Sequence, residues 1–473
     1  MPKDRRRSNA GESNPYRRLP SVNELAESPG LAPWTQRVSR DELVAAVRLV
    51  LAECRKEISL ENGFACESLD QLAGRVDAHL EQTERPRLVE VINGTGILIH
   101  TGLGRTPLSS RALQSMAEAA AGYTPLELSL LTGDRGQRAD IVRKQLCGLT
   151  GAESATIVNN NAAALLITLG TLAPGRQVVV SRGELIEIGG SFRLPEIMAA
   201  SGARLREVGT TNKTRISDYA AAIDDSTGAL LQVHPSNYRL TGYTQSVPID
   251  DLVALGRKHE LPVIHDIGSG ALFDVTALGL GPEPDCPTSI AAGADLVLFS
   301  GDKLVGGPQS GVIVGRRRYI EQIERNPLMR ALRVDKLTLA ALSATLESLG
   351  SLQQAASQLP LWTMVATPLE ELRQRAERIA GELRTETCGW RIETASTISY
   401  LGGGSLPGQG IESMAITLGE GPVSEAALAR RLRTGRPAVM GRLQNNRLYV
   451  DLRAILPRQD ESLVRALSAA VRT

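Results

Sequence analysis

"DLVLFSGDKLVGGPQSGVIVG", residues 295–315, sets an apolar run against a glycine-rich turn, and that turn carries one lysine, Lys303. The runs "DLVLFS" (295–300) and "GVIVG" (311–315) read as strands covered on both faces, because they are apolar throughout and do not alternate with polar residues. No helical pattern separates them, so they are expected to pair as a hairpin. A lysine at the mouth of a buried strand is partly desolvated, which draws its pKa toward neutrality and suits it to imine chemistry. Most lysines are simply solvated, so Lys303 gains weight only from its neighbours.

Upstream of this stretch the same kind of run recurs at 155–158, 177–181, 203–208, 229–233 and 261–267, with helical patterns such as "NAAALLITLGTL" and "DDLVALGRKHE" between most of them. The expected fold class is α/β, a mainly parallel seven-stranded sheet sandwiched by helices. Ligands bind such sheets beyond the carboxyl ends of the strands. Residues 1–75 open with a basic lead, followed by a capping box at Ser39 and Glu42 and by Leu43, Val47, Val50 and Cys54 at helical spacing. They read as a small helical N-terminal domain. Residues 76–340 hold the sheet, and 341–473 read as a smaller α+β domain with strands around "ISYLGGGSLPGQGIESMAITL" and "NNRLYVDLRAIL".

Composition narrows the function classes. With 473 residues, 42% hydrophobic and 22% charged, the chain suits a globular protein of about three domains. A net charge of +1 gives no bulk attraction to nucleic acid, though a local basic patch remains open. The five cysteines form no CxxC pair, which points to a reducing compartment and away from a zinc site. No apolar run reaches the roughly 18 residues of a membrane span, and the start lacks a signal-peptide core, so a cytoplasmic protein without membrane contact is expected. There is no GxxxxGK[ST], GxSxG, HExxH or strand-borne GxGxxG, so no metal is expected.

The strand ends carry the chemistry. "ATIV" runs into "NNNAAALL", and a turn at Asn160, Asn161 and Ala162 entering a helix offers free N–H groups to a phosphate. A plain asparagine N-cap would explain the same residues. "LPVIHDIGSG" places Asp266 where a buried carboxylate needs a partner, such as a protonated ring nitrogen, or else caps a turn. His265 reads as a structural neighbour. "QVHPSNYRLTGY" offers His234, Ser236 and Asn237 near a ligand ring, although "PSN" is also turn chemistry. Ser300 stands three residues before the lysine. In this order on an α/β sheet, a phosphate seat, an aspartate and a lysine meet the requirements of pyridoxal 5'-phosphate, with Asp266 at the pyridine nitrogen and Lys303 at the aldehyde.

"INGTGILIHTGLGRTPLS", "VNNNAAALLITL", "SRGELIEIGGSFRLPEIM", "VGTTNKT", "VHPSNYRLTGYTQ", "HDIGSGAL", "FSGDKLVGGPQSGVIVG" and "NPLMRALRVDKLTLAAL" resemble the bacterial selenocysteine synthases, the L-seryl-tRNA(Sec) selenium transferases. The resemblance runs from about residue 15 to "RPAVMGRLQNNRLYVDLR". It implies a fold-type I pyridoxal phosphate enzyme that converts seryl-tRNA(Sec) to selenocysteinyl-tRNA(Sec) with selenophosphate. Water is lost by β-elimination through an aminoacrylyl-tRNA, with Lys303 as the base for the Cα proton. It further implies anion-binding roles for Arg105, Arg330 and Arg333 and a place near the chemistry for Asp302. Read from spacing alone, Arg330 and Arg333 share one helix face and could be a solvated stripe or ion-pair partners. The resemblance also implies tRNA contact by the N-terminal zone, which carries Arg5, Arg6, Arg7, Arg17 and Arg18, and a large homo-oligomer of dimers with shared active sites. Phe192 is a candidate for stacking on the ring. The rival reading is a lyase or transferase of the same fold acting on a small amino acid without tRNA, and the N-terminal helical zone argues against it.

Overall fold

The structure is a computed structural model that describes residues 15–60, 68–83, 88–190, 192–386 and 389–472. The chain divides into two compact units, 1–90 and 91–473. Arg5, Arg6 and Arg7 lie outside the described residues, as do the side chains of Arg17 and Phe192.

The N-terminal unit is helical. Ser39 caps α1 (Arg40–Leu60): the Glu42 amide donates to Ser39 Oγ at 3.3 Å, and the Ser39 amide donates to Glu42 Oε2 at 2.8 Å. Val47, Val50, Leu51 and Cys54 of α1 meet Leu72, Val76 and Leu80 of α2 (Leu69–Thr83) around Trp34, whose indole N–H donates to Asp77 at 2.7 Å. Because α2 buries Val76 and Leu80, the helical unit extends beyond the boundary expected at residue 75.

The second unit is built on seven strands: β1 Ser154–Val158, β2 Gln177–Ser181, β3 Arg204–Val208, β4 Thr227–Val233, β5 Val263–Gly268, β6 Leu296–Ser300 and β7 Gly311–Gly315. Their order across the sheet is β1-β7-β6-β5-β4-β2-β3. All run parallel except β7, which is antiparallel to both neighbours, with Gly311 opposite Ser300 and Val158. The hairpin expected from 295–315 is therefore present. Alternate residues explain the uninterrupted apolar runs. Val297 and Phe299 of β6 pack into one core with Val312 and Val314, while Leu296 and Leu298 pack into another with Ile313. That second core is covered by α3 (Asn161–Leu172).

A four-stranded antiparallel sheet forms the smaller α+β part: β8 Arg391–Gly402, β9 Ser405–Gly419, β10 Arg442–Gln444 and β11 Arg447–Asp451, ordered β8-β9-β11-β10. Helices α4 (Leu369–Glu386) and α5 (Asp460–Arg472) pack on it through Leu372, Ile379, Leu463 and Leu467. The segment 91–99, within the 76–340 expected to hold the large sheet, pairs its backbone with this part, while Leu98 and Ile99 pack into the core with Val297 and Phe299 of β6. Val91–Asn93 pairs in parallel with Ala438–Met440, and the Leu98 and Ile99 amides donate to the carbonyls of Tyr400 and Leu401 at 2.9 and 2.7 Å. Buried Ile92 joins the core under the small sheet, which anchors the segment there. Among the described residues no helix is long and apolar enough to cross a membrane.

Candidate active site

Beyond the carboxyl ends of β1, β4, β5 and β6 lies a cavity of about 640 Å³, lined by Asn160, Asn161 and Ala162, by His234, Ser236 and Asn237, and by Asp266, Ser300, Asp302, Lys303 and Arg105. The parallel strands bring together the residues from 160 to 303, and the loop after Thr101–Leu103 adds Arg105, 198 positions before Lys303 in the sequence.

Lys303 sits in the turn after β6 and is only 6% exposed. The turn closes on itself: the Gly306 amide donates to the Lys303 carbonyl at 2.9 Å, and the Leu304 amide donates to the Ser269 carbonyl at 2.9 Å. Gly301 is needed there, since a Cβ would come within 2.1 Å of Ser310 Oγ. Burial draws the lysine pKa down to about 8, helped by the Arg105 cation and opposed by Asp266, Asp302 and Glu283.

Asp266 ends β5. Its Oδ1 accepts from Asn161 Nδ2 at 2.8 Å and from the Gly268 amide at 3.0 Å. Burial raises its carboxyl above the ordinary range, and these donors together with Lys303 work against that rise. A carboxylate held in this way can accept a proton-bearing ring nitrogen. His265 alternates to the other face of β5, where Nδ1 lies 3.0 Å from Ser289 Oγ, and burial lowers its pKa to about 3, so it stays neutral. It is a core residue, as the sequence implies.

Asn160 is indeed the N-cap of α3, its Oδ1 accepting from the Ala163 amide at 2.9 Å, and it also lines the cavity. The two readings of this turn are compatible, because the first amides of a helix have no partner within it. Among the described residues Asn161 Oδ1 is buried with no hydrogen-bond partner. Ser236 and Ser300 are buried, and Asn237 Nδ2 donates to the Glu187 carbonyl at 2.7 Å. Arg105, at φ +65°, places Nε 2.9 Å from Asp302 Oδ2 and donates from Nη1 to the Gly403 carbonyl at 3.4 Å. Burial raises the Asp302 carboxyl, and Arg105 partly reverses this.

Arg330 and Arg333 are not brought to Lys303. They line a separate cavity of about 510 Å³ that includes Thr156 and Ile157 of the edge strand β1. Nor do they share a helix face: the helix Met329–Leu332 ends before Arg333, whose backbone is extended. Met329 and Leu332 pack into the core beside β1, and the Leu332 carbonyl accepts from the Asn159 amide at 2.9 Å, which fixes the segment there. Arg333 Nη1 lies 3.7 Å from Glu127 Oε1.

The structure adds residues that the sequence reading passed over. Thr101, Ile188, Tyr400 and the glycines 402–404 also line the lysine cavity. Gly402, Gly403 and Gly404 all have positive φ, and a Cβ on Gly404 would come within 3.1 Å of Lys303 Nζ and 3.2 Å of Ser236 Oγ. The "GGG" triplet was the available signal, since successive glycines mark close backbone approach.

These residues fit pyridoxal 5'-phosphate. A buried amine of lowered pKa, a buried carboxylate and the start of α3 converge on one cavity, and the backbone over the amine is stripped of side chains. Fold and site together define a pyridoxal-phosphate enzyme of fold type I.

Comparison with known sequences narrows the class. The pattern of L-seryl-tRNA selenium transferase matches residues 91–456, and that of the selenocysteine synthase N-terminal segment matches residues 16–55. A Carboxydothermus hydrogenoformans protein called L-seryl-tRNA(Sec) selenium transferase is 42% identical over 451 residues, covering 95% of this chain and 97% of its own. A Moorella thermoacetica protein of the same name is 45% identical over 462 residues, 97% of each chain. Among solved structures, D-glucosaminate-6-phosphate ammonia-lyase shares the fold at a TM-score of 0.56 and 20% identity, over 83% of this chain and 98% of its own. The chain belongs to the L-seryl-tRNA selenium transferase family.

Proposed function

We infer that this protein is a pyridoxal-phosphate-dependent L-seryl-tRNA(Sec) selenium transferase that makes selenocysteinyl-tRNA(Sec) from seryl-tRNA(Sec) and selenophosphate in the cytoplasm. The observation that carries the reading is the meeting of Lys303, Asp266 and Asn161 in one cavity, in a chain 42% identical to a named member of the family over nearly its whole length.

When bound, the cofactor supplies an electron sink for charge developing at the seryl Cα. The protein's residues do the rest. Lys303, with its pKa near 8, is poised to take the Cα proton at Nζ and return it, because a base works best near the ambient pH. Asp266 keeps a proton on the ring nitrogen, and Asn161 and the Gly268 amide orient that carboxylate. The N-terminus of α3 would seat the phosphate with Ser300 beside it, and Ser236 and Asn237 would lie near the ring. The β-hydroxyl leaves as water; selenium from selenophosphate then adds at Cβ as a proton returns to Cα, and water cleaves the selenium–phosphorus bond to release inorganic phosphate. Arg105, aligned by Asp302, offers a permanent charge and a fork of donors to that small anion.

Arg330 and Arg333 fit the reaction if they serve the cavity of a neighbouring subunit in a large homo-oligomer assembled from dimers. The N-terminal unit is assigned to the transfer RNA. Deleting residues 1–90 should weaken RNA binding at least tenfold while cofactor absorbance persists, since the cavity is built within 91–473. Unchanged RNA affinity would remove that assignment. The decisive assay incubates the holoenzyme with seryl-tRNA(Sec) and selenophosphate and looks for selenocysteinyl product. Turnover of free serine without any RNA product would favour the small-substrate lyase reading.

A further inference from the structure

A second cavity, of about 330 Å³, adjoins the lysine cavity and shares His234, Leu406 and Pro407 with it. Its rim includes Asn212, Lys213 and Gln245, from two loops joined by a β-bridge between Lys213 and Gln245. Its lining includes Glu283, whose side chain is 1% exposed. Glu283 Oε2 lies 3.4 Å from His234 Nε2, but Glu283 Oε1 is buried with no hydrogen-bond partner among the described residues. Leaving a carboxylate oxygen dry and unpaired is costly, so this wall is built for a donor that the chain does not supply. A carboxylate can only accept, which restricts the missing group to a hydroxyl, an amine or an amide N–H.

The chemistry of the substrate says where such a donor would come from. The seryl group is esterified to the ribose of the RNA's 3'-terminal adenosine, so that ribose stands only an ester bond away from the atoms that react beside Lys303. The cavity that seats it must open into the lysine cavity, and this one does so at His234. Its volume lies in the range of small-ligand pockets, about 300–1,000 Å³.

We propose, resting on the function inferred above, that this cavity holds the terminal adenosine of the aminoacylated RNA, with the ribose 2'-hydroxyl donating to Glu283 Oε1. The ribose lies at the His234 end, where the two cavities meet. The base points to the rim, where the Gln245 side-chain amide meets its edge beside Asn212, whose Nδ2 donates to the Tyr243 carbonyl at 2.7 Å, and Lys213 faces the backbone phosphate. Lys213 Nζ also stands 5.9 Å from the centre of the Tyr243 ring, which is 88% exposed and offers a stacking face to the preceding base. Glu283 is thus a positioning residue that fixes the ribose and the adjoining His234.

The test uses the full-length holoenzyme and two RNAs charged on the 3'-oxygen, one ending in adenosine and one in 2'-deoxyadenosine. In the wild type the deoxy terminus should raise KM about tenfold with little change in kcat, as expected for loss of one hydrogen bond to a charged group. In Glu283→Ala the two RNAs should differ less than about twofold, whereas Glu283→Gln, which keeps an acceptor oxygen, should retain most of the discrimination. The bound-cofactor absorbance reports that each variant is folded. If Glu283→Ala loses that band, binding of 5'-AMP is compared between wild type and Gln245→Ala, which should bind several-fold more weakly. Equal use of both RNAs by the wild type, a full deoxy penalty in folded Glu283→Ala, or equal 5'-AMP affinity in Gln245→Ala overturns the assignment. Wild type that makes no product from either RNA, yet binds 5'-AMP in a Gln245-dependent way, would instead count against the proposed function.

Discussion

Arg105 and Arg333 belong to the same expected anion-binding set, yet their surroundings differ. Arg105 has a side chain 25% exposed, lies 2.9 Å from Asp302 and sits in the cavity of Lys303. Arg333 is 38% exposed, follows a four-residue helix and lies 3.7 Å from Glu127 beside an edge strand. Arg105 is carried to the ends of the strands by the loop after the short helical turn Thr101–Leu103 and is held there by Asp302 and the Gly403 carbonyl. A residue after a short helix goes where its local apolar anchors take it, here Met329 and Leu332. One chain therefore holds the covalent chemistry in one place and part of its cationic equipment in another.

The sharpest way to break this contrast is at the lysine. Lys303→Ala should abolish the visible absorbance of bound cofactor and reduce turnover on the order of 10^4-fold or more, and an active variant would end the assignment. Asp266→Asn should keep the cofactor but reduce kcat by about 10²-fold, since a developing charge loses its preorganised partner; a normal rate would leave Asp266 merely structural. Arg330→Ala should slow selenium transfer about tenfold while dehydration of the seryl group continues. Mixing Lys303→Ala with Arg330→Ala subunits sharpens the point. If dimers exchange freely and sites are shared, about a quarter of the sites regain both groups and activity returns; no recovery means each chain works alone. The smallest effect concerns pH. Capture of cofactor by the apoprotein needs the neutral amine, so its rate should rise about tenfold per unit below pH 8 and level off above. Arg105→Ala removes a cation that disfavours the ammonium, so the midpoint should move upward. An unmoved midpoint would show that Arg105 does not set the amine's pKa.

All seven strands of the large sheet were legible in the sequence, six of them because a strand covered on both faces leaves an uninterrupted apolar run bounded by turns, whereas Arg204–Val208 is an exposed edge strand of mixed polarity. The hairpin at 295–315 followed from the missing helix. Asn160, Asn161, Asp266 and Lys303 were legible because polar residues directly behind such runs must either be solvated or face a ligand. Apolar pattern reports burial but names no partner, so it did not show that Val91–Asn93 would pair with Ala438–Met440. It is equally silent about tertiary direction, so Arg330 and Arg333 were grouped with Arg105 by sequence likeness although the fold separates them. Gly402–Gly404 were read as part of a strand, since nothing local shows that their backbone passes over an amine roughly 100 positions earlier.

The parallel pairing of Val91–Asn93 with Ala438–Met440, and of Leu98 and Ile99 with the chain at 400–401, has a temporal consequence. During synthesis the ribosome completes the seven-stranded sheet long before it makes the strand that clasps residues 91–93. A nascent chain can thus carry its lysine and aspartate while the roof over them, and the seam that secures it, are still untranslated. The cavity around Lys303 is therefore complete only when the last part of the chain has been made and Gly402–Gly404 have closed over it.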